Sequence, residues 1–257
     1  MLWPTLLQLL PVLSSAQQTS APAYLQSGLD WGGDCMSGPA QSPLDLGVAQ
    51  LKFEDDYLFS AITPTYAPFS ASYGFTATDY RIWGSFGQLR LQSVDSASLE
   101  IFESAYISFH APGEHKLNGH QFALEMQIRH GFLSAPQTTD NRPGNSTYAV
   151  LSVLFDIGAE NDFLTQVVEN AQELDLMGLF PEGIVSDYFL YEGSETLYPC
   201  EERVRWAVWA KAQQVSADQL AFFRSKWQDS LEFARGNGNN RETVGTSEDR
   251  IVLRVMR

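Results

Sequence analysis

A chain of 257 residues with 44% hydrophobic and 12% aromatic content can fill one sizeable core but not comfortably two, so a single domain is expected. Its 31 acidic residues against 16 basic ones give a formal charge of −15, which works against nucleic acid, anionic membrane and sulfated glycans through long-range repulsion. A protein partner with a cationic surface is favoured instead, with a plain solvated acidic surface as the alternative.

Residues 1–18, MLWPTLLQLLPVLSSAQQ, pass from a leucine-rich stretch to Ser14-Ser15-Ala16, small residues of the kind that precede a cleavage point. A secretory signal peptide is the expectation. A disordered apolar N-terminus is the alternative, because no Lys or Arg precedes the run and Pro4 and Pro11 interrupt it. No other stretch approaches the roughly 18 uninterrupted apolar residues of a spanning helix, and the C-terminal RIVLRVMR is too short and basic for a lipid-anchor signal. Residues 24–257 are therefore expected to form one secreted domain.

Along that domain, short alternating runs rich in aromatic and β-branched residues predict strands: YRIWG (80–84), GQLRLQSV (87–94), SLEIFE (98–103), AYISFHA (105–111), FALEMQIRH (122–130), YAVLSVLFDI (148–157), DYFLYEG (187–193) and VRWAVWAKA (204–212). Two segments predict helices. ENDFLTQVVENAQEL (160–174) spaces Phe163, Val167 and Val168 at helical intervals. SADQLAFFRSKW (216–227) opens with a capping box, Ser216 with Gln219, ahead of Leu220, Phe223 and Trp227. The fold class is mainly β, an α+β arrangement with a few peripheral helices.

The two cysteines, Cys35 and Cys200, suit either one bridge in an oxidising compartment or two separate buried thiols. A bridge closing so long a loop would stabilise by roughly 4–5 kcal/mol in the chain-entropy picture. Asn145-Ser146-Thr147 is a glycosylation sequon behind Pro143-Gly144, where a loop is expected.

All four histidines fall between residues 110 and 130. Because strand side chains alternate, Tyr106, Ser108 and His110 share one face, and Glu125, Gln127 and Arg129 share another. Pro112-Gly113 and Asn118-Gly119 are turn signals between the two runs, so the strands are candidates for antiparallel neighbours whose polar faces meet.

These residues resemble the α-class carbonic anhydrases. SFHAPGEHKLNGHQFALEMQIRH (108–130) is similar to that family's core motif, in which one strand carries two zinc-binding histidines and the next carries a third. DWGGDCMSGPAQSPLDL (30–46), YAVLSVLFDIG (148–158) and YEGSETLYPCEERVRWAVW (191–209) resemble further family segments in the same order, so the likeness covers about residues 30–254. It implies a large, twisted, mostly antiparallel central sheet with peripheral helices, and a Cys35–Cys200 disulfide.

The resemblance places the metal ligands at positions 108, 110 and 127, which hold Ser108, His110 and Gln127: one imidazole of three. His115 and His130 match structural histidines, parity points His130 away from Gln127, and His120 lies at a turn. Other parts match. Glu114 and Thr196 correspond to the pair in which a buried carboxylate orients a gatekeeper hydroxyl, and Glu125 to the acid that supports the third ligand. The former substrate pocket aligns with Arg129, Val150, Glu195 and Trp206, and the proton-shuttle position with Gln88. Arg129 and Glu195 are expected to form an ion pair across that pocket, the alternative being that both reach solvent.

Zinc on three imidazoles lowers the pKa of bound water from 15.7 to about 7, and without it that supply of hydroxide is lost. The expectation is a relative of these enzymes that has lost zinc and carbon dioxide hydration and acts as a secreted binding or structural scaffold, with no cofactor; an acidic storage or matrix protein is a variant of this. The alternative is a weak or rearranged-site hydratase or esterase that uses zinc, or a hydrolase built on Glu114, His110 and Thr196.

Overall fold

Among the described residues the alternating runs assemble into a 12-stranded, twisted mixed sheet. The structure, a computed structural model, describes residues 23–47, 51–52, 59–93, 99–134, 146–180, 187–245 and 252–256. The expected signal peptide at 1–18 and the sequon's Asn145 lie outside these residues.

In chain order the strands are β1 (Leu51–Lys52), β2 (Phe59–Tyr66), β3 (Phe69–Ser70), β4 (Ser72–Phe75), β5 (Tyr80–Trp83), β6 (Gly87–Ser93), β7 (Leu99–His110) and β8 (Lys116–Leu117). They continue with β9 (His120–Gln121), β10 (Leu124–Ser134), β11 (Tyr148–Ile157), β12 (Glu173–Leu174), β13 (Asp187–Ser194), β14 (Glu202–Trp209), β15 (Gln213–Val215) and β16 (Val252–Met256). The main path runs β1-β16-β13-β14-β11-β10-β7-β5-β4. Most neighbours are antiparallel, but β11 pairs in parallel with both β14 and β15, and β1 with β16. The expected mainly β, mostly antiparallel architecture is borne out, with a parallel seam through its centre.

SLEIFE and AYISFHA form one continuous strand, β7, which lies between β10 on one side and β5 and β6 on the other. Alternation then sorts the side chains. Ile107, Phe109, Leu124, Met126 and Ile128 turn into a core that also holds Phe223 and Trp227, while Val150, Leu154, Tyr191 and Trp206 fill a second cluster with Leu44 and Leu46.

The helices are short: α1 (Asp34–Ser37), α2 (Asp162–Val168) and α3 (Ala217–Arg224). Helix α3 carries the expected capping box, with the Ser216 and Gln219 side chains each bonded to the other's backbone N–H. Helix α2 begins where the Asn161 side chain accepts from the N–H groups of Phe163 and Leu164. It stops well short of residue 174. Asn170 takes a positive φ of 54°, and Glu173–Leu174 leaves the helical path to pair with β3, burying Leu174 completely. Tertiary pairing overrides the local helical period. No helix among the described residues is long and apolar enough to cross a membrane.

Candidate functional site

Antiparallel pairing of β10 with β7 sets Glu125 opposite His110, Gln127 opposite Ser108 and Arg129 opposite Tyr106. The two polar faces meet, and every residue of the cluster except Tyr106 is buried. What each atom does follows from its partners.

The His110 Nδ1 lies 3.0 Å from the Asn239 carbonyl, which can only accept, so the ring's proton sits on Nδ1. Its Nε2 is buried and without a hydrogen-bond partner. Gln127 uses its nitrogen twice: Nε2 donates to Glu114 Oε2 at 2.7 Å and to Glu125 Oε1 at 3.2 Å. Facing two carboxylates, the amide has only this orientation, and both of its N–H bonds are engaged.

Glu125 also accepts from the backbone N–H groups of Glu114 and His115, from His115 Nδ1 and from Ser152 Oγ, each at 2.8 Å. Burial raises its pKa, but the charge and hydrogen bonds of His115 outweigh burial and bring it down to about 2. Glu114, fully buried, is pushed above the usual carboxylate range by desolvation, against the opposing pull of His110. Its Oε1 accepts from the Arg241 backbone N–H at 2.8 Å. Thr196 is near enough to favour the charged form of Glu114, yet its Oγ1 makes no hydrogen bond of normal geometry and is buried and unpaired.

The other sequence-predicted residues fall as follows. Arg129 and Glu195 are hydrogen-bonded as an ion pair, with side chains only 10% and 16% exposed, which excludes the alternative that both reach solvent. The Arg129 guanidinium sits 4.1 Å from the Tyr148 ring centre and 5.6 Å from that of Tyr106. Val150 and Trp206 continue its cross-strand row and are packed into the core. His115 Nε2 meets the Tyr191 hydroxyl at 2.6 Å, and His130, stacked on Tyr66, points into the opposite core. His120 is exposed and bonded to Asp156, and Gln88 donates to Glu103. Cys35 and Cys200 form a disulfide with Cα atoms 5.0 Å apart.

Residues that sequence reasoning missed hold the site's rim. Arg81 forks onto buried Asp79 at 2.8 and 3.0 Å and lies 4.2 Å from the Tyr106 ring centre. Arg241 donates to the carbonyls of Ser42 and Cys35, each at 2.6 Å, tying the disulfide segment to the site. Asn239 donates to the Phe109 and Thr78 carbonyls. Asn239-Asn240-Arg241 looks like a polar loop; only its burial reveals its role.

Zinc sites draw three or four donors from imidazole, thiolate and carboxylate. Positions 108, 110 and 127 offer one imidazole, a hydroxymethyl group and an amide whose nitrogen faces away to two carboxylates. That donor set does not fit zinc. Among the described residues no group of three His, Cys, Asp or Glu side chains is placed to hold a metal ion.

A family model described as eukaryotic-type carbonic anhydrase matches residues 27–255. Alpha carbonic anhydrase 4 of Arabidopsis thaliana is 28% identical over 208 residues, covering 77% of this chain and 70% of that protein. Dioscorin dioA3 of Dioscorea japonica is 28% identical over 203 residues, covering 74% and 68%. Among solved structures, dioscorin complexed with ascorbate superposes with a TM-score of 0.70 at 23% identity, covering 93% of this chain and 99% of the other, a likeness of fold.

Proposed function

The chain belongs to the eukaryotic-type carbonic anhydrase family, and on that premise we propose that it is a carbonic-anhydrase-related protein that neither holds zinc nor hydrates carbon dioxide and acts as a secreted binding or structural scaffold. The observation that carries this reading is the Gln127 amide, whose two N–H bonds are taken by Glu114 and Glu125. A ligand position has become a donor to the acids behind it. With Ser108 across the strand, His110 is the lone imidazole at the three positions, and a water placed there keeps its bulk acidity.

The Arg129–Glu195 pair supports the same reading, because it puts two charged groups where a small apolar substrate would approach. Secretion is supported by the disulfide and by the leader-like residues 1–18. The charge of −15 points to a protein partner with a basic surface and away from nucleic acid.

One observation favours a second reading. His110 Nε2 and Thr196 Oγ1 are buried without partners, as the remnants of a working site would be. Zinc content by mass spectrometry, with carbon dioxide hydration by stopped flow, decides between the two. Less than a tenth of an equivalent of zinc after dialysis against micromolar zinc, with no turnover, is expected; one equivalent with turnover overturns the proposal.

A further inference from the structure

A groove of about 660 Å³ is lined by residues other than those of the site just described, and it falls within the size range of small-molecule sites. Its floor is apolar, built from Phe122 after β9 and Leu220 of α3, with Ile157 at the end of β11. Ile157 is 67% exposed, a large aliphatic side chain left uncovered on the groove wall. His120, Asp156 and Arg224 supply its charged and titratable groups.

Arg224 is the informative member. Arg81, Arg129, Arg205 and Arg254 each find a carboxylate, while Arg90, Arg203, Arg235 and Arg241 form no ion pair among the described residues, and of these unpaired arginines none lines the groove. Among the described residues Arg224 finds no carboxylate: its side chain makes no ion pair, and its buried Nε has no hydrogen-bond partner. Arg224 lines the groove, and with no partner in the described structure the terminal N–H groups of its fork are left for an outside acceptor. The groove's one acid, Asp156, is bonded through Oδ1 to His120 Nε2 at 2.9 Å, and His120 rests edge-on against Phe122.

We propose that this groove binds a small monocarboxylate with an aromatic or aliphatic body, the carboxylate on the Arg224 fork and the body along Phe122, Ile157 and Leu220. A single negative charge is the best match. One unpaired arginine offers one bidentate partner, and the formal charge of −15 repels di- and polyanions more strongly than a monoanion. The site shares no residue with the metal-ligand positions, so it stands whether or not zinc is bound.

The test titrates the full chain with benzoate and with benzyl alcohol, which has the same body without the charge, following backbone amide shifts by NMR. Benzoate should shift amides around Phe122, Ile157 and Leu220 and bind at least about tenfold more tightly than the alcohol, the effect of a charge-assisted hydrogen bond. Arg224→Gln should erase that preference, and because the side chain makes no bond within the described structure the variant should fold. Ile157→Asp, at an exposed position, should independently weaken benzoate. Equal affinity for the two probes, a preference surviving in Arg224→Gln, or no groove shifts at millimolar benzoate would overturn the proposal.

Discussion

Ser108→His combined with Gln127→His should give this chain a zinc site. The two positions are directly opposite in the β7–β10 ladder, so their Cβ atoms are separated by about 4.5–5.5 Å, a spacing from which two imidazoles can converge. His110 needs no adjustment, since its Nδ1 is fixed on the Asn239 carbonyl and its Nε2 is unpaired. Removing the Gln127 amide also frees Glu125 Oε1, 3.2 Å from Nε2, to accept an imidazole N–H and orient the new ligand. Zinc at about a thousand times its dissociation constant then stabilises the fold by roughly 4 kcal/mol. For a domain of this size that is a rise in Tm of roughly 8–16 °C. Scanning calorimetry of the double variant with zinc and with chelator measures it directly, and the parent chain should show no such shift. Adding Glu125→Gln should weaken zinc about 10–100-fold. A folded double variant whose Tm ignores zinc would refute the geometry on which the loss of metal is argued.

Acid should destabilise the fold in two windows. Burial holds His130 neutral down to about pH 3, whereas the unfolded imidazole protonates near 6.5, so stability is intact above 6.5 and falls by up to roughly 5 kcal/mol as pH drops towards 3. His130→Phe should flatten that slope in urea titrations at pH 4–7; an unchanged slope would contradict the assignment. Glu125, charged down to about pH 2, contributes stability that is complete above about 4.5 and is lost as pH falls from there to 2, roughly 3 kcal/mol in all. Arg129→Met, Glu195→Gln and their combination form a double-mutant cycle expected to yield a coupling of about 1–3 kcal/mol by chemical denaturation, and a coupling near zero would mean the pair is not formed in solution. Cys35→Ser with Cys200→Ser should cost about 4–5 kcal/mol, read from the same denaturation midpoint.

Strand positions were legible because β7, β10, β11 and β13 are runs rich in β-branched and aromatic residues, and most of β10, β11 and β13 is buried on both faces of the sheet, which leaves such runs few other ways to be satisfied. The end of α2 was not. Nothing local marks Glu173–Leu174 as a strand; its partner, Phe69–Ser70, lies a hundred residues earlier, and the pairing is a tertiary fact. The site divides in the same way. Parity alone placed Ser108 with His110 and Gln127 with Glu125, and the resemblance identified what the matching positions do in the family. That the Gln127 amide turns towards two carboxylates, and that Arg241 links Glu114 to the cysteine segment, depends on loops whose sequence carries no period.

The persistence of Glu114 and Glu125 without a full ligand set has a physical explanation that needs no residual chemistry. Taking a divalent cation from beside two buried carboxylates leaves negative charge that the interior does not tolerate unpaired. An apolar residue at 127 would deprive Glu114 Oε2 of its donor at 2.7 Å; a carboxamide supplies two N–H groups, one for each acid. Glu125 meanwhile holds the backbone of residues 114 and 115 and the ring of His115, and Glu114 receives the Arg241 backbone N–H. Both acids are thus structural members of the fold. They are held by the hydrogen bonds they accept, and on the proposed reading the carboxamide at the ligand position 127 is the group that keeps them satisfied.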